Sequence, residues 1–549
     1  MKRTNIMLKV VAVLLVLSLT ACTGNNDVSS APKGALSGTA GTDTVTLAIS
    51  TEPSDLNPMR LSETISQSVL YHCMSGLTRL NEKDEPVADL AERWEINSDK
   101  TVYTMHLRKD AKWSNGDPVT AQDFYYSWVT QMTPSTGTIY APYLYRHIQN
   151  GEAFYNGDAD VADLGIKVLD DYTLEIHWGH PMANGLFYLA QPFYLPVNQK
   201  AYEQIGEQAY AKEADQMVTN GPYRITEWVH DAHIIMEKFA DYYAADTIAV
   251  PKVKLAMIGD SNTALNAFMT GEIDMCGLYS EQIELVAKQD ESAVQSYIDG
   301  GSWFVDFNLQ DEYISNMNLR KALAYSIDVQ SLLDYVINDG SVAADGLVPS
   351  IIAGAGGKSY SEARGSLFAY DKEAASGYLD KALTELGLTK ENLKLTFWGT
   401  ETTYNKSQAA YLQQQWKDNL GLDVALKAVS NKALSEAKKS GEYSFTVGGW
   451  GPSENDAISF LENYLTGEAN NTGKYSNPEY DRLLSASAQE GDAQKRQELL
   501  IKAEKLLIEE MGVGPLYFTC TKYAVSNKLK GLARTPFQYF NVCYASIQV

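Results

Sequence analysis

The glycine-rich run Gly354-Ala-Gly-Gly-Lys-Ser359 is the part of the sequence that comes nearest to a nucleotide-binding loop. In such a loop, backbone amides hold the phosphates and the lysine neutralises their charge. The loop requires a glycine five residues before the glycine that precedes the lysine, and that position is Ile352. The phosphate cradle is therefore incomplete, and the run is interpreted as a flexible loop.

Two pairs of histidines have a spacing that could place both imidazoles on one metal ion. They are His177 with His180 and His230 with His233. A zinc site of this kind also needs the glutamate of the HExxH motif or a nearby cysteine, and neither pair has one. Positions on the surface or at a strand edge are the favoured interpretation, and a weak metal site is the alternative.

The sequence contains no Gly-x-Ser-x-Gly run, the turn that presents the nucleophile of many serine hydrolases. Neighbouring carboxylates such as Glu509 and Glu510 are frequent, but acidic residues are so numerous that a solvated surface explains them. We therefore predict no catalytic residue, no metal site and no cofactor, and we expect a protein that is not an enzyme.

The composition is that of a folded protein with an acidic surface. Hydrophobic residues make up 45% and charged residues 21% of the 549 positions. At roughly 150 residues per domain, this length predicts three to four folded units. The formal net charge is −24, so the protein would repel a phosphate backbone, and nucleic acid is excluded as an expected partner.

The N-terminus has the features of a targeting segment. Lys2, Arg3 and Lys9 precede an apolar run over residues 10–19, and small residues lead to Cys22. A basic start, a short apolar stretch and a small-residue cleavage site predict a signal peptide. The cysteine makes the segment similar to a bacterial lipoprotein signal, which implies that residues 1–21 are removed and that Cys22 carries the lipid.

Residues 22–42 are rich in Gly, Ser, Ala, Thr and Asn, and this composition predicts a flexible tether. No later apolar run approaches the roughly 20 residues of a membrane helix. We therefore expect a protein held outside the cytoplasm, on a bacterial cell membrane or the periplasmic face of one, through its N-terminal lipid alone.

Four cysteines follow Cys22, at positions too widely spaced for a zinc site or a redox pair. They are Cys73, Cys276, Cys520 and Cys543. Buried free thiols are the favoured interpretation, and a bridge between Cys520 and Cys543 is the alternative.

The elements that must position any site alternate between strands and helices. Residues 44–50 have the pattern of a buried strand and residues 102–108 that of a half-buried one. Apolar residues recur every three to four positions over 407–420 and 492–510, which predicts two helices. The mixture predicts an α/β or α+β protein.

The run from Tyr103 to Phe124 carries a specific signal. It reads as a strand, a tight turn at Asn115 and Gly116, and a helix that begins with Thr120 as its N-cap. The whole string, together with residues 89–94, is similar to the signature of the family 5 extracellular solute-binding proteins of the oligopeptide-binding type. Further matches follow in the family's order at residues 52–58, 218–223, 271–274, 318–328, 449–451 and 515–517.

The resemblance implies a two-lobed, periplasmic-binding-protein-like α/β fold of type II, with an extra subdomain, a hinge and a cleft between the lobes. The implied boundaries are 43–85, 215–305 and 515–549 for lobe I, 86–214 for the inserted subdomain, and 306–514 for lobe II. The hinge crossings are expected near residues 302–308 and 513–517.

The resemblance also implies a function. Members of the family capture peptides outside the cell and deliver them to the permease subunits of an ABC importer, which work with cytoplasmic ATPases. A monomer that binds a peptide ligand is therefore expected. The alternatives are a non-peptide ligand such as a metal chelate or an oligosaccharide, a signalling peptide, and, less favoured, an extracellular hydrolase.

The residues that the resemblance places at the cleft are an aromatic pair, two strand segments near residues 60–65 and 450–455, and several further side chains. The aromatic pair is Tyr140 and Trp450, and glycines around Trp450 are expected to allow close backbone approach. The full candidate set is Tyr140, Trp450, Gly451, Ser453, Glu454, Asp456, Ser62, Glu63, Thr64, Asp306 and Trp398.

One position departs from the family pattern. Peptide-binding relatives carry an aspartate shortly after the tryptophan, where it pairs with the ligand's α-amino group, and this sequence has Ser453 there. A hydroxyl cannot supply the negative charge that compensates a desolvated ammonium. Either Glu454 or Asp456 takes that role, or the ligand is not anchored through a free N-terminus. Val447 stands where some relatives have an arginine, so no cation for a carboxylate is evident there.

Overall fold

The computed structural model describes residues 43–549 except 62, 63, 139, 280, 453, 538, 539 and 549. The predicted signal peptide, the tether and the lipid site Cys22 lie outside the described residues.

The chain alternates strands and helices. The β-strands are β1 Thr44–Ile49, β2 Thr78–Leu80, β3 Pro86–Ala88, β4 Ala91–Ile96, β5 Val102–Leu107, β6 Ile166–Asp170, β7 Thr173–His177, β8 Tyr223–Val229, β9 His233–Lys238, β10 Lys252–Met257, β11 Met275–Leu278, β12 Val294–Phe307, β13 Val342–Ala343, β14 Leu395–Thr400, β15 Val424–Val429, β16 Phe445–Trp450, β17 Val513–Val525, β18 Leu529–Lys530 and β19 Ser546–Ile547.

The α-helices are α1 Thr64–Cys73, α2 Ala121–Met132, α3 Ala141–Tyr145, α4 Gly151–Asn156, α5 Gly185–Tyr188, α6 Gln199–Ile205, α7 Ser261–Met269, α8 Glu281–Gln289, α9 Met317–Tyr325, α10 Val329–Leu332, α11 Tyr360–Arg364, α12 Lys372–Leu386, α13 Thr403–Leu420, α14 Asn431–Ser440, α15 Ile458–Leu461, α16 Pro478–Gln489 and α17 Ala493–Glu509. A π-helix spans Leu333–Ile337, and short 3-10 helices occupy several connections.

Local sequence signals explain where these elements begin and end. Asp492 caps α17 by accepting a hydrogen bond from the Lys495 amide at 3.0 Å, and α13 ends at Gly421, whose φ of +71° suits glycine. Asp123 accepts a hydrogen bond from the Thr120 amide at 2.9 Å at the start of α2. The predicted strands at 44–50 and 102–108 and the predicted helices at 407–420 and 492–510 are confirmed within a few residues.

A large mixed sheet forms the centre of the described chain, in the order β15-β14-β16-β12-β17-β11-β1-β10-β9-β8, with β13 also paired to β17. At one end β1 is parallel to both β10 and β11, and at the other end β14 is parallel to β15 and β16. The predicted α/β class is confirmed. A separate antiparallel sheet, β4-β5-β7-β6, is built from residues 91–177.

Two long strands join the ends of the large sheet. β12 and β17 are antiparallel neighbours, paired from Val294 with Ala524 to Asp306 with Val513. Their register shifts between Ile298 and Ser302 and again at Phe304. The segments predicted as crossings, near 302–308 and 513–517, therefore lie side by side.

The hydrophobic core is divided in the same way. One cluster contains Val45, Trp128 and Val253 and draws on residues 45–275 with the C-terminal segment. A second contains Trp416 and Leu507 and draws mainly on residues 304–516. Each end of the large sheet thus packs against its own group of buried side chains.

The four cysteines in the described residues are free thiols, and Cys73, Cys276 and Cys543 are buried, as the favoured interpretation predicted. Cys520 departs from that prediction because it is partly exposed. A search of the described helices finds none that has both the length and the apolar character needed to cross a membrane.

Candidate ligand-binding site

Two cavities open where parallel strands of the large sheet end. In open α/β sheets, ligands bind outside the carboxyl ends of the strands. The first cavity lies along the last residues of β16, and the second lies at the ends of β1, β10 and β11. Both positions are therefore candidates for binding.

The first cavity has a volume of about 390 Å³ and mixes apolar and polar walls. It brings together two of the predicted residues, Trp450 on β16 and Asp306 on β12, with a face of α14. Its lining residues are Phe304, Asp306, Leu347, Asn431, Leu434, Ser435, Lys438, Lys439, Gly448, Gly449, Trp450, Phe460, Asn463, Tyr464, Ala469, Asn470, Thr472 and Gly473.

Three charged side chains line the first cavity, and two of them, Asp306 and Lys438, form an ion pair, whereas Lys439 is exposed. The Lys438 ammonium lies 2.6 Å from a carboxylate oxygen of Asp306, and the Thr472 hydroxyl donates to the same carboxylate oxygen at 3.2 Å. The cavity therefore offers a ligand a neutralised ion pair, the exposed Lys439 ammonium and amide side chains.

Trp450 is half-buried, and its indole N–H donates to the Ser459 carbonyl at 2.8 Å. The glycines beside it have different roles. A Cβ on Gly448 would lie 2.7 Å from the Phe304 ring, and one on Gly449 would lie 2.9 Å from the Trp303 ring. These two glycines make room for aromatic rings of β12, so the predicted role of clearing space for a ligand fits only Gly451, which is exposed with nothing within 4 Å of its Cβ position.

The loop after Trp450 holds two buried carboxyl groups with different partners. Asp456 accepts hydrogen bonds from the Arg496 guanidinium at 2.6 and 3.2 Å and from the Asn184 amide at 2.7 Å. Burial alone would raise the pKa of Asp456, but the charge of Arg496 outweighs it and keeps that pKa below its ordinary value. Asp456 is thus a neutralised structural carboxylate.

Glu454 has no such cation. The Tyr188 hydroxyl donates to its carboxyl group, and in the described chain no Lys, Arg or His forms an ion pair with it. Burial and the nearby charge of Asp456 raise the pKa of Glu454 to about 8. At neutral pH this carboxyl group is therefore largely protonated in the free protein.

Tyr140 contacts α1 through Gln67, and Thr64 is the first residue of the same helix. The Gln67 amide donates to the Tyr140 hydroxyl at 2.9 Å, and the Tyr140 ring stacks on Phe193 with centroids 5.6 Å apart. Thr64 begins α1 and lines the second cavity.

The remaining candidates are not brought to the first cavity. Trp398 lies on β14, where the Lys427 ammonium sits 3.5 Å from its ring centroid, and it does not line either cavity. Ser62, Glu63 and Ser453 lie outside the described residues.

Sequence reasoning missed Lys438, Arg496, Tyr188 and Arg534, which line the cavities or hold the loop after Trp450. These residues lie far in sequence from the groups that they contact. Lys438 on α14 pairs with Asp306 on β12, and Arg496 on α17 pairs with Asp456 in the loop after β16. No spacing in the sequence signals these contacts.

The paired histidines have separate partners. His177 contacts Glu175 at 2.6 Å, whereas His180 contacts His147 at 3.0 Å. His233 contacts Glu227 at 2.7 Å. Across the part of the chain that the structure describes, no group of three or more His, Cys, Asp or Glu side chains is arranged to hold a metal ion.

Comparison with known proteins gives a consistent result. Residues 85–472 match a family model described as bacterial extracellular solute-binding proteins, family 5 middle. The chain is 33% identical over 531 residues to the dipeptide-binding protein DppE of Bacillus subtilis, covering 97% of both proteins. It is 34% identical over 503 residues to the oligopeptide-binding protein OppA of the same organism, covering 90% of each.

Comparison with solved structures agrees with the family match. The chain matches Listeria monocytogenes OppA bound to peptide with a TM-score of 0.71 at 31% identity, covering 93% of this chain and all of that one. It matches the unliganded open form of MppA, a periplasmic murein tripeptide-binding protein, with a TM-score of 0.80 at 25% identity, covering 92% of this chain and 97% of that one.

Proposed function

The chain belongs to the bacterial extracellular solute-binding proteins of family 5, and on that premise we propose that it is the peptide receptor of an ABC importer. Its fold is the type II periplasmic-binding-protein fold of its structural relatives. The receptor function is supported by relatives that are named for binding dipeptides and oligopeptides.

The observation that carries the proposal is the end of β16. Gly451 is exposed and has open space at its Cβ position, directly after Trp450 and beside the first cavity. An extended peptide can pair its backbone with such a strand end while a side chain enters the cavity, a mode that tolerates many sequences. The Asp306–Lys438 pair and the amide groups would then receive that side chain.

Glu454 is the proposed anchor for the ligand's α-amino group, in the absence of the family aspartate. Asp456 is already neutralised by Arg496, whereas Glu454 is buried without a cation. An arriving ammonium would favour the ionised form of Glu454, so binding would release a proton. Because part of the binding energy goes into that ionisation, the anchor is weaker than a carboxylate that is already charged.

Calorimetry tests this anchor with one peptide in free and N-acetylated forms. Titrations in buffers of different ionisation enthalpy should show proton release near pH 7 for the free amine and none for the acetylated peptide. Equal affinity and equal proton release for both forms would reject Glu454 as the anchor and favour a ligand held by its main chain alone.

The predicted lobes and hinge form part of the proposal. A hinge is proposed between lobe I (43–85, 215–305, 515–549), which carries the subdomain (86–214), and lobe II (306–514). The pairing of β12 with β17 supports this hinge, and so does the division of the core into two clusters. The higher TM-score to an unliganded open relative than to a peptide-bound one supports an open state. Ligand that touches both lobes would shift the population toward closure.

Lipid attachment at Cys22 and delivery to a permease complete the proposal. Labelling of cells with a palmitate analogue should mark the wild-type protein and not the Cys22→Ser variant. The variant should also be lost from the membrane fraction of the cells. A Cys520→Ser variant, changed at a cysteine of the folded part, is the matched control and should stay labelled.

The receptor function itself is tested by native mass spectrometry of the protein after incubation with a peptide mixture. Intact peptides that co-purify in equimolar amount support the receptor. Shortened peptides in the solution would support a hydrolase instead, and a captured sugar or metal chelate would indicate a non-peptide ligand.

A further inference from the structure

The second cavity contains an arginine, Arg534, that the proposed binding of the peptide backbone does not use. It has a volume of about 190 Å³ and lies at the carboxyl ends of three strands of the large sheet. Its lining residues include Ser50, Thr64, Tyr279, Tyr523, Arg534 and Phe540.

Arg534 is the one cation among the described residues that line this cavity, and it packs against aromatic rings. Its guanidinium carbon lies 3.3 Å from the ring centroid of Tyr523 and 4.6 Å from that of Tyr297. One of its terminal nitrogens also donates to the Tyr523 hydroxyl. Contacts with ring faces fix the orientation of a guanidinium without neutralising its charge.

The charge of Arg534 lacks a partner within the described chain. No described carboxylate lies within ion-pair distance of it, and its Nε is buried without a hydrogen-bond partner. The nearby Asp299 is engaged elsewhere, because it accepts hydrogen bonds from the Thr521 hydroxyl at 2.5 Å and the Gly301 amide at 3.0 Å. Burial lowers the pKa of Arg534 to about 10, so the group is still a cation at neutral pH.

We infer that Arg534 and the second cavity bind a carboxylate of the peptide ligand. A desolvated cation is costly until an anion offsets it, and a guanidinium is shaped to receive a carboxylate in two hydrogen bonds. The first turn of α1 adds Thr64 and the positive end of a ten-residue helix to the same cavity. This inference rests on the proposed peptide-receptor function.

The strand register places this subsite relative to the end of β16. Trp450 pairs with Ser302 on β12, and Ser302 pairs with Phe518 on β17. Tyr523, whose ring contacts Arg534, lies five residues after Phe518 on β17. At about 3.3 Å per residue the separation is roughly 16 Å. A peptide that begins near Trp450 would therefore reach Arg534 with a carboxylate at about its fifth or sixth residue.

The experiment measures binding of hexapeptide pools to the full-length protein by calorimetry. The pools have a free or an amidated C-terminus and contain either glutamate or glutamine, so the two sources of a carboxylate are tested separately. Wild-type protein is compared with Arg534→Gln and Arg534→Lys. Arg224→Gln, which removes an exposed arginine from β8, is the matched control.

Wild-type protein and the Arg224→Gln control should prefer one carboxylate-bearing pool over its amide counterpart by roughly ten- to hundredfold, the strength of a charged hydrogen bond. Arg534→Gln should lose that preference while still binding the amide pool, and Arg534→Lys should keep part of it. A free-acid preference assigns the C-terminus as the source, and a glutamate preference assigns a side chain.

Two results would overturn the inference in distinguishable ways. If Arg534→Gln keeps the wild-type preference, or weakens acid and amide pools equally, the subsite is rejected and the receptor function stands. If no pool binds to the wild-type protein, the peptide-receptor function fails and the subsite fails with it. Equal melting temperatures of the variants, measured by calorimetry, exclude loss of folding as the cause.

Discussion

Arg496 on α17 donates two hydrogen bonds to Asp456 in the loop after β16, at 2.6 and 3.2 Å. Both side chains are largely buried, and Asp456 also holds Asn184 at the start of α5. The pair therefore fastens the loop that follows Trp450 to elements from two distant parts of the chain.

Asp456→Asn should destabilise the protein by about 3–5 kcal/mol, because it leaves the Arg496 guanidinium buried without its anion. Urea denaturation measures the change. The control is Glu479→Gln, which breaks the exposed helical pair with Arg482 and should cost no more than about 1 kcal/mol. Equal effects of the two substitutions would show that the buried pair does not stabilise the loop.

Glu454 should make the ligand-free protein less stable as the pH rises. Its pKa is about 8 in the folded protein against an ordinary value of 4.5, so the folded state holds a proton that the unfolded state releases. The stabilising contribution is fully present below about pH 4.5 and is lost as the pH rises to about 8. The groups facing the carboxyl group are Tyr188, Asp456, Glu462 and Arg496.

Glu454→Gln removes this titration and keeps the side-chain shape. Calorimetry measures the melting temperatures of both proteins. The melting temperature of the variant, relative to that of the wild type, should rise steadily between pH 5 and pH 8. A difference between variant and wild type that stays constant over this range would show that Glu454 is already ionised in the folded protein.

The first cavity should change its ligand preference when its ion pair is broken. Lys438→Met leaves the Asp306 carboxylate without its ammonium, so the charge of the cavity lining becomes more negative by one unit. Affinity should rise for a peptide whose side chain at that position is lysine, by roughly tenfold relative to its norleucine counterpart.

Lys439→Met is the matched control for that experiment. Lys439 lines the same cavity, but the ion pair with Asp306 belongs to Lys438. The control should leave the lysine-to-norleucine ratio near its wild-type value. A ratio that shifts equally in both variants would indicate a general charge effect rather than the Asp306 pair.

Local periodicity was enough to predict many elements of the fold. The apolar repeat over residues 492–510 predicted α17, and alternation predicted β5, because these signals act between neighbours in sequence. The whole string over residues 103–124 also pointed to the family, which the comparisons confirmed.

The site was less predictable because its contacts join distant segments. Nothing near Glu454 in the sequence says that Arg496 neutralises Asp456 and leaves Glu454 without a cation. Nothing near Arg534 says that it rests on Tyr297. Such pairings depend on the register of β12 with β16 and β17, which a sequence without alignment does not specify.

Replacing each of the three glycines around Trp450 by alanine should change the unfolding free energy by sharply different amounts. A Cβ at Gly448 or Gly449 meets the ring of Phe304 or Trp303 at under 3.0 Å, whereas a Cβ at Gly451 meets nothing within 4 Å. Overpacking of this kind costs typically 1–3 kcal/mol, so Gly448→Ala and Gly449→Ala should lower the unfolding free energy by about that amount.

Gly451→Ala should leave the unfolding free energy within about 0.5 kcal/mol of the wild type. If a peptide backbone approaches Gly451, as proposed, the added methyl group should nevertheless weaken peptide binding in calorimetry at unchanged stability. Unchanged affinity would place the ligand backbone elsewhere along β16. Gly451→Ala is predicted to lower peptide affinity at unchanged stability, whereas Gly448→Ala is predicted to lower both. Comparison of these two variants therefore distinguishes a ligand contact from a packing contact.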